Sequence, residues 1–184
     1  MVSPARIHMT LDEFFALPET MTPTELFDGE MIVSPAPAFR HQAIAATVFT
    51  CVNNLKPDGT ALFAPVDVVL NPGTVAQSDV LWVSSSNDRR MERDGKLFGP
   101  PDLCIGIFSP STARKDRTKK FNAYEGAGVR EYWIIEPTLN AVELWILKGT
   151  EFELRGVYRD PQAFVSPALN GATVALSDIF PQTT

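Results

Sequence analysis

The sequence predicts a single α/β domain, residues 1–184, built on a mixed central sheet flanked by helices. Three observations carry this. Apolar residues make up 45% of the 184-residue chain, enough to build one substantial core. Asp102-Leu-Cys-Ile-Gly-Ile-Phe108 is a nearly continuous apolar run, the pattern of a strand covered on both faces. A helical pattern and a second apolar run, Glu131-Tyr-Trp-Ile-Ile135, follow it. That is the strand–helix–strand order of a parallel unit.

Thr10-Leu-Asp-Glu13 has capping-box spacing and opens a short helix to about Ala16. Asp28-Gly29 lies between two apolar runs, and both residues tolerate positive φ, so Glu25–Val33 reads as a hairpin. From Phe39 to Leu55 the residues Ile44, Val48, Cys51, Val52 and Leu55 share one helical face, and Lys56-Pro-Asp-Gly59 stops that helix. Leu62–Leu70 reads as one strand, Asn71-Pro-Gly73 as a turn and Val80–Val83 as the core of another strand. A polar stretch leads to the 102–108 strand. Ser109-Pro-Ser-Thr112 then supplies capping residues for a helix that ends near Gly126 and Gly128. After a turn at Pro137–Asn140, Val142–Leu147 and Phe152–Tyr158 form a meander around Lys148-Gly149-Thr150. Ala175–Phe180 fits a last short helix.

The net charge is −6, which argues against a protein that coats nucleic acid with its whole surface. No run reaches the ~18 apolar residues of a membrane span. The first residues lack the apolar segment of a signal peptide, since His8, Asp12 and Glu13 interrupt them. Cys51 and Cys104 form no CxxC pair and sit in apolar surroundings, as reduced core residues of a cytoplasmic protein would.

Arg114-Lys-Asp-Arg-Thr-Lys-Lys120 concentrates five cations near the start of a helix, the end where the helix dipole disfavours them. Two readings stand: an ordinary solvated patch, or Arg114, Lys115, Arg117 and Lys119 facing phosphate oxygens. Lys120 lies four residues after Asp116 and four before Tyr124, so the three share a face. Asp79 opens an apolar strand, where it either closes the strand end or serves a site; Asp67 is a weaker case of the same kind. Glu30, after the Asp28-Gly29 turn, is read from its position as exposed. His41 has no second histidine at ligand spacing and reads as a cap or surface residue. No GxSxG, P-loop or GxGxxG pattern occurs.

Gln77-Ser-Asp-Val-Leu-Trp-Val83, Gly99–Thr112, Asp116-Arg-Thr-Lys-Lys120 and Tyr124–Pro137 together resemble the Uma-type family of restriction endonucleases, within the PD-(D/E)xK nuclease superfamily. Glu25-Leu-Phe-Asp-Gly-Glu30 and Arg40-His41-Gln42 resemble its N-terminal signature. The resemblance covers the chain from about Met9 to Phe180. It implies a restriction-endonuclease-like fold, DNA as substrate, a homodimer, and catalysis with Mg²⁺ or Mn²⁺. It places the first acid on Asp79, the lysine on Lys120 and an additional acid on Glu30. In such nucleases the metal polarises the scissile phosphate and lowers the pKa of a bound water.

Two departures matter. Ser78 stands where the family has proline. Gly106 stands where the second acid belongs, and glycine offers no ligand. Asp102 shares the strand face but lies about 13 Å away, and Glu125 points elsewhere around the helix. Asp79, Glu30 and the backbone carbonyl of Ile107 are then the expected remnant of a metal site, binding Mg²⁺ or Mn²⁺ weakly. The expectation is a DNA endonuclease with a degraded centre, or an inactive relative that binds DNA or protein.

Overall fold

In a computed structural model the described residues are 8–18, 22–55, 58–89, 91–108 and 113–180, with the side chains of 113–116 excluded. Helix α1 (Leu11–Phe15) starts at Thr10 with a reciprocal capping box to Glu13. Strands β1 (Thr24–Phe27) and β2 (Glu30–Val33) form the expected hairpin, with positive φ at Asp28 and Gly29. Helix α2 is Phe39–Leu55 and buries Ile44, Val48, Cys51 and Val52.

The stretch read as one strand from Leu62 is two. Strand β3 (Gly59–Phe63) and strand β4 (Val68–Asn71) are separated by a segment holding Pro65, which has no N–H to continue a ladder. They enter different sheets. Strand β5 (Thr74–Ala76) follows the Asn71–Gly73 turn, then β6 (Val80–Ser84). The polar stretch before the 102–108 run contains a hairpin that the sequence pattern did not reveal, β7 (Met91–Arg93) and β8 (Lys96–Phe98) around Asp94-Gly95. Both turn residues have positive φ, but the flanking strands are too short and too charged for an alternating signal. Strand β9 (Leu103–Ile107) is wholly buried, α3 is Ala113–Ala127, and β10 (Glu131–Glu136) runs parallel to β9. Strands β11 (Ala141–Lys148) and β12 (Glu151–Arg159) complete the meander, and a second unanticipated hairpin, β13 (Ala163–Ser166) and β14 (Ala172–Ala175), precedes a 3-10 turn at Leu176–Asp178. The expected capping residues Ser109–Thr112, and the Lys56-Pro57 start of the expected helix stop, lie outside the described residues.

The central sheet has the order β12-β11-β10-β9-β6-β3 and is mixed, with β9·β10 as its parallel pair. The N-terminal hairpin does not join it. A second six-stranded sheet, β2-β1-β5-β4-β8-β7, takes that hairpin. One face of the central sheet presents Val80, Trp82, Leu103, Ile105 and Trp133 to α2 and to the 163–180 segment. The opposite face presents Cys104, Phe108, Tyr132 and Ile134 to α3 and to Phe27 and Ala76 of the second sheet. Covering on both faces explains why β9 reads as a continuous apolar run. It also places the end of β9 between two layers that both carry polar side chains.

Candidate functional site

Asp79 immediately precedes β6. Val80 pairs with Ile105 in antiparallel register, so one further step sets Asp79 opposite Gly106. Its Oδ2 accepts the Ile107 N–H at 2.7 Å, and its Oδ1 lies 3.2 Å from His41 Nε2 on the first turn of α2. His41 is therefore beside the acid. The Ser78 hydroxyl sits 3.1 Å from both the N–H and the carbonyl oxygen of Ile105. In the place of the family's proline, this side chain continues the β6–β9 contact that the backbone no longer makes.

Lys120 comes to the same end of the sheet from α3. Its Nζ donates to the Gln77 carbonyl at 2.6 Å and lies 3.1 Å from Glu25 Oε1. Glu25 Oε1 also accepts the Gln77 N–H at 2.6 Å. Gln77 thus joins the lysine, the buried acid and, through the next residues of the chain, Asp79. Burial raises the Glu25 carboxyl above its ordinary value, opposed by Lys120 and by the Gln77 N–H. Asp67, the weaker strand-acid candidate, accepts from the Gln77 side-chain amide at 2.9 Å.

Glu30 is elsewhere in this network: Lys119 Nζ is 2.9 Å from its Oε2. That pair lines an open cleft of about 460 Å³ shared with Asp28, Asn71, Thr74 and Asn122. Arg117 pairs with Glu143, which also accepts from the Trp145 indole at 2.9 Å. Asp102 is at the far end of β9, bound to Ser84 N–H, Asn87 and Arg130. The Glu125 carboxylate caps the Phe152 N–H. The side chains of Arg114, Lys115 and Asp116 lie outside the described residues.

Glu25, Gln77, His41 and Phe108 were not among the candidates from sequence. Glu25 carried a signal, a charged residue on an otherwise buried strand. Gln77, His41 and Phe108 lie within the stretches that carry the family resemblance, but nothing local marks their roles, and the lack of a histidine partner reads His41 as a cap or surface residue.

Position 106 is closed. A Cβ built on Gly106 would lie 2.5 Å from Cε2 and 3.0 Å from Cζ of Phe108, and 2.9 Å from the Tyr132 hydroxyl oxygen. Residues 104, 106 and 108 share a face by strand period, and the Phe108 ring lies back over the glycine.

These residues do not fit a divalent-metal centre. Mg²⁺ requires several oxygens at nearly octahedral geometry. Asp79 already holds one N–H donor and a histidine, Glu25 is committed to Lys120, Glu30 to Lys119, and Gly106 contributes nothing. Ile107 turns its N–H toward Asp79; its carbonyl shares that edge by strand geometry, leaving one carboxylate and one amide oxygen. Among the described residues no three His, Cys, Asp or Glu side chains gather at metal-ligand spacing.

A mixed sheet with a parallel strand–helix–strand unit, an acid before β6 and a lysine on the following helix define a restriction-endonuclease-like domain. The model of the Uma2 family, described as "Putative restriction endonuclease", matches residues 11–177, and the chain belongs to that family. Among solved structures it is similar to one described as "a putative nuclease belonging to DUF820" from Anabaena variabilis ATCC 29413. The two share 25% identity with a TM-score of 0.76, over 94% of this chain and 97% of that one. No curated protein matches. No helix among the described residues is long and apolar enough to cross a membrane.

Proposed function

We propose that this chain is a DNA endonuclease of the PD-(D/E)xK type whose hydrolytic centre survives only in part. The observation that carries the reading is that Lys120 bonds the Gln77 carbonyl two residues before Asp79, so both reach the same end of the central sheet, beside a Gly106 that supplies no acid. Lys120 offers an ammonium to a phosphate oxygen once DNA displaces part of its present shell. Arg117 and Lys119, each about one-third exposed, exchange Glu143 and Glu30 for backbone phosphates, together with Arg114 and Lys115. The Mg²⁺ or Mn²⁺ that the family resemblance implies finds no complete ligand set in this arrangement: Asp79 and the Ile107 carbonyl share one edge, and Glu30 is paired with Lys119. Losing one electrostatic group from an active site slows hydrolysis on the order of 10³-fold. A homodimer and a cytoplasmic location, implied by the family resemblance, belong to the same proposal.

A second reading has hydrolysis wholly absent and DNA or protein binding retained. The aromatic ring over position 106 favours it, because a replacement acid would first have to move that ring. Nicking of supercoiled plasmid in Mg²⁺ and in Mn²⁺ by the native chain and by Lys120→Ala separates the two. Slow nicking that Lys120→Ala removes supports residual activity. No nicking in either metal rejects it for that substrate, and salt-dependent binding of labelled duplex then tests the second reading.

A further inference from the structure

We infer that Gly106 and Phe108 are two halves of one change, and that Phe108 is the plug that keeps a carboxylate out of this site. The inference rests on the reading of position 106 as the disabled point of a nuclease centre. It goes further by assigning a role to a residue outside the catalytic signature.

Two independent observations support it. The first is volume. Phe108 is only 7% exposed and belongs to the apolar cluster of Cys104, Tyr124 and Tyr132. Its ring occupies the space where any side chain at 106 would begin, with the nearest ring carbon 2.5 Å from the Cβ position. A contact that short is overpacked for alanine and for every larger residue. The second is polarity. The Tyr132 hydroxyl is buried with no hydrogen-bond partner among the described residues, although it lies 2.9 Å from the same Cβ position. Buried hydroxyls are almost always paired. Here a polar pocket has kept its donor and lost the group beside it, while an aromatic ring filled the remaining volume.

A glycine alone would have left a cavity next to that hydroxyl. A phenylalanine alone would have struck the side chain at 106. Each residue makes the other tolerable, so the site does not regain its acid by one substitution. Gly106→Glu in the native background must displace the Phe108 ring. Gly106→Glu with Phe108→Leu removes the ring contact, leaves the Tyr132 hydroxyl to shift by a few tenths of an ångström, and returns a carboxylate opposite Asp79.

The test is Mn²⁺ binding by isothermal calorimetry on the native chain, Gly106→Glu, and Gly106→Glu/Phe108→Leu, with thermal melting of each. The expected result is saturable binding at millimolar metal by the double variant alone, with affinity at least tenfold above either other protein. Equal binding by Gly106→Glu and the double variant overturns the plug. So does a folded double variant that binds no better than the native chain. Strong binding by the native chain instead overturns the reading of a disabled centre, a separate failure. Should the glutamate variants not fold, Gly106→Ala, Phe108→Leu and their combination decide. Gly106→Ala should lower the melting temperature by roughly 5 °C, and Phe108→Leu should restore most of that loss. Additive effects in that cycle overturn the coupling.

Discussion

Removing Glu25 tests whether the buried acid behind the site is structural support for Lys120. In the native chain Glu25 Oε1 receives the Gln77 N–H at 2.6 Å and faces Lys120 Nζ at 3.1 Å. The two side chains are only 5% and 14% exposed. Glu25→Ala leaves a part-buried N–H without its acceptor, costing about 1–2 kcal/mol. It also strips Lys120 of a charged partner. A fully buried cation in that state costs about 3–5 kcal/mol, but Lys120 keeps the Gln77 carbonyl and some water, so about 2 kcal/mol is the better figure. The sum is about 3–4 kcal/mol, or roughly 6–16 °C in melting temperature for a chain of this size. Replacing both partners, Glu25→Leu with Lys120→Met, should cost only about 1–2 kcal/mol, because the Gln77 N–H still lacks its acceptor but no unpaired charge is left buried. Urea unfolding of the two single variants and the double variant gives the coupling directly. A Glu25→Ala loss below about 0.5 kcal/mol, with no coupling to Lys120, would refute the reasoning.

The Glu25 carboxyl is raised by burial, so between its unfolded and folded values the folded state holds the extra proton, and its contribution to stability falls as pH rises through that window. The stability advantage of the native chain over Glu25→Gln should therefore shrink from acid pH upward; a widening advantage would show the opposite sign. Glu131 accepts from the Trp133 indole, the Ser166 hydroxyl and the Ala168 N–H, so Glu131→Gln sets an amide donor against these donors and should cost about 2–3 kcal/mol by denaturant titration. Burial pushes the Cys51 thiol up to about 11 and the Cys104 thiol up to about 12; both should resist iodoacetamide at pH 8 in the native protein and react in denaturant. Arg117→Ala and Lys119→Ala should each reduce the salt slope of duplex DNA binding by about one, and unchanged slopes would remove both from the interface.

Long periodic elements were legible in the sequence. Helix α2, the β9–α3–β10 unit and the β11–β12 meander follow from burial period and turn chemistry, because each satisfies its own local rule. The hairpins β7–β8 and β13–β14 were not, since strands of three or four residues, charged in the first hairpin and built of small residues around one Phe and two Val in the second, are too short for alternation to stand out. The division of the 62–70 stretch between two sheets was also illegible. Apolar alternation says that a segment is half buried, and nothing about which sheet it pairs with. At the site, Asp79 was marked by being an acid at the mouth of an apolar strand, and Lys120 by the family resemblance. The partner of each was hidden. Glu25 reaches Lys120 because β1 lies in the second sheet, and Glu30, five residues along and past a turn, meets Lys119 instead. The closure of position 106 depends on the side-chain direction at residue 108, which strand period suggests but does not fix.

The Glu25–Lys120 contact joins the second sheet to a helix packed on the first. Its partners are distant in the chain, so the loop between them must be closed before the contact exists. Strands β9 and β10 with α3 can assemble from nearer segments, and contacts of low sequence separation form fastest. The expected order therefore leaves Lys120 a solvated amine until the N-terminal hairpin docks and brings Glu25 to it. Chemical labelling of lysines during refolding tests that order: Lys120 should become protected after β9 and β10 have paired, and earlier protection would reject it.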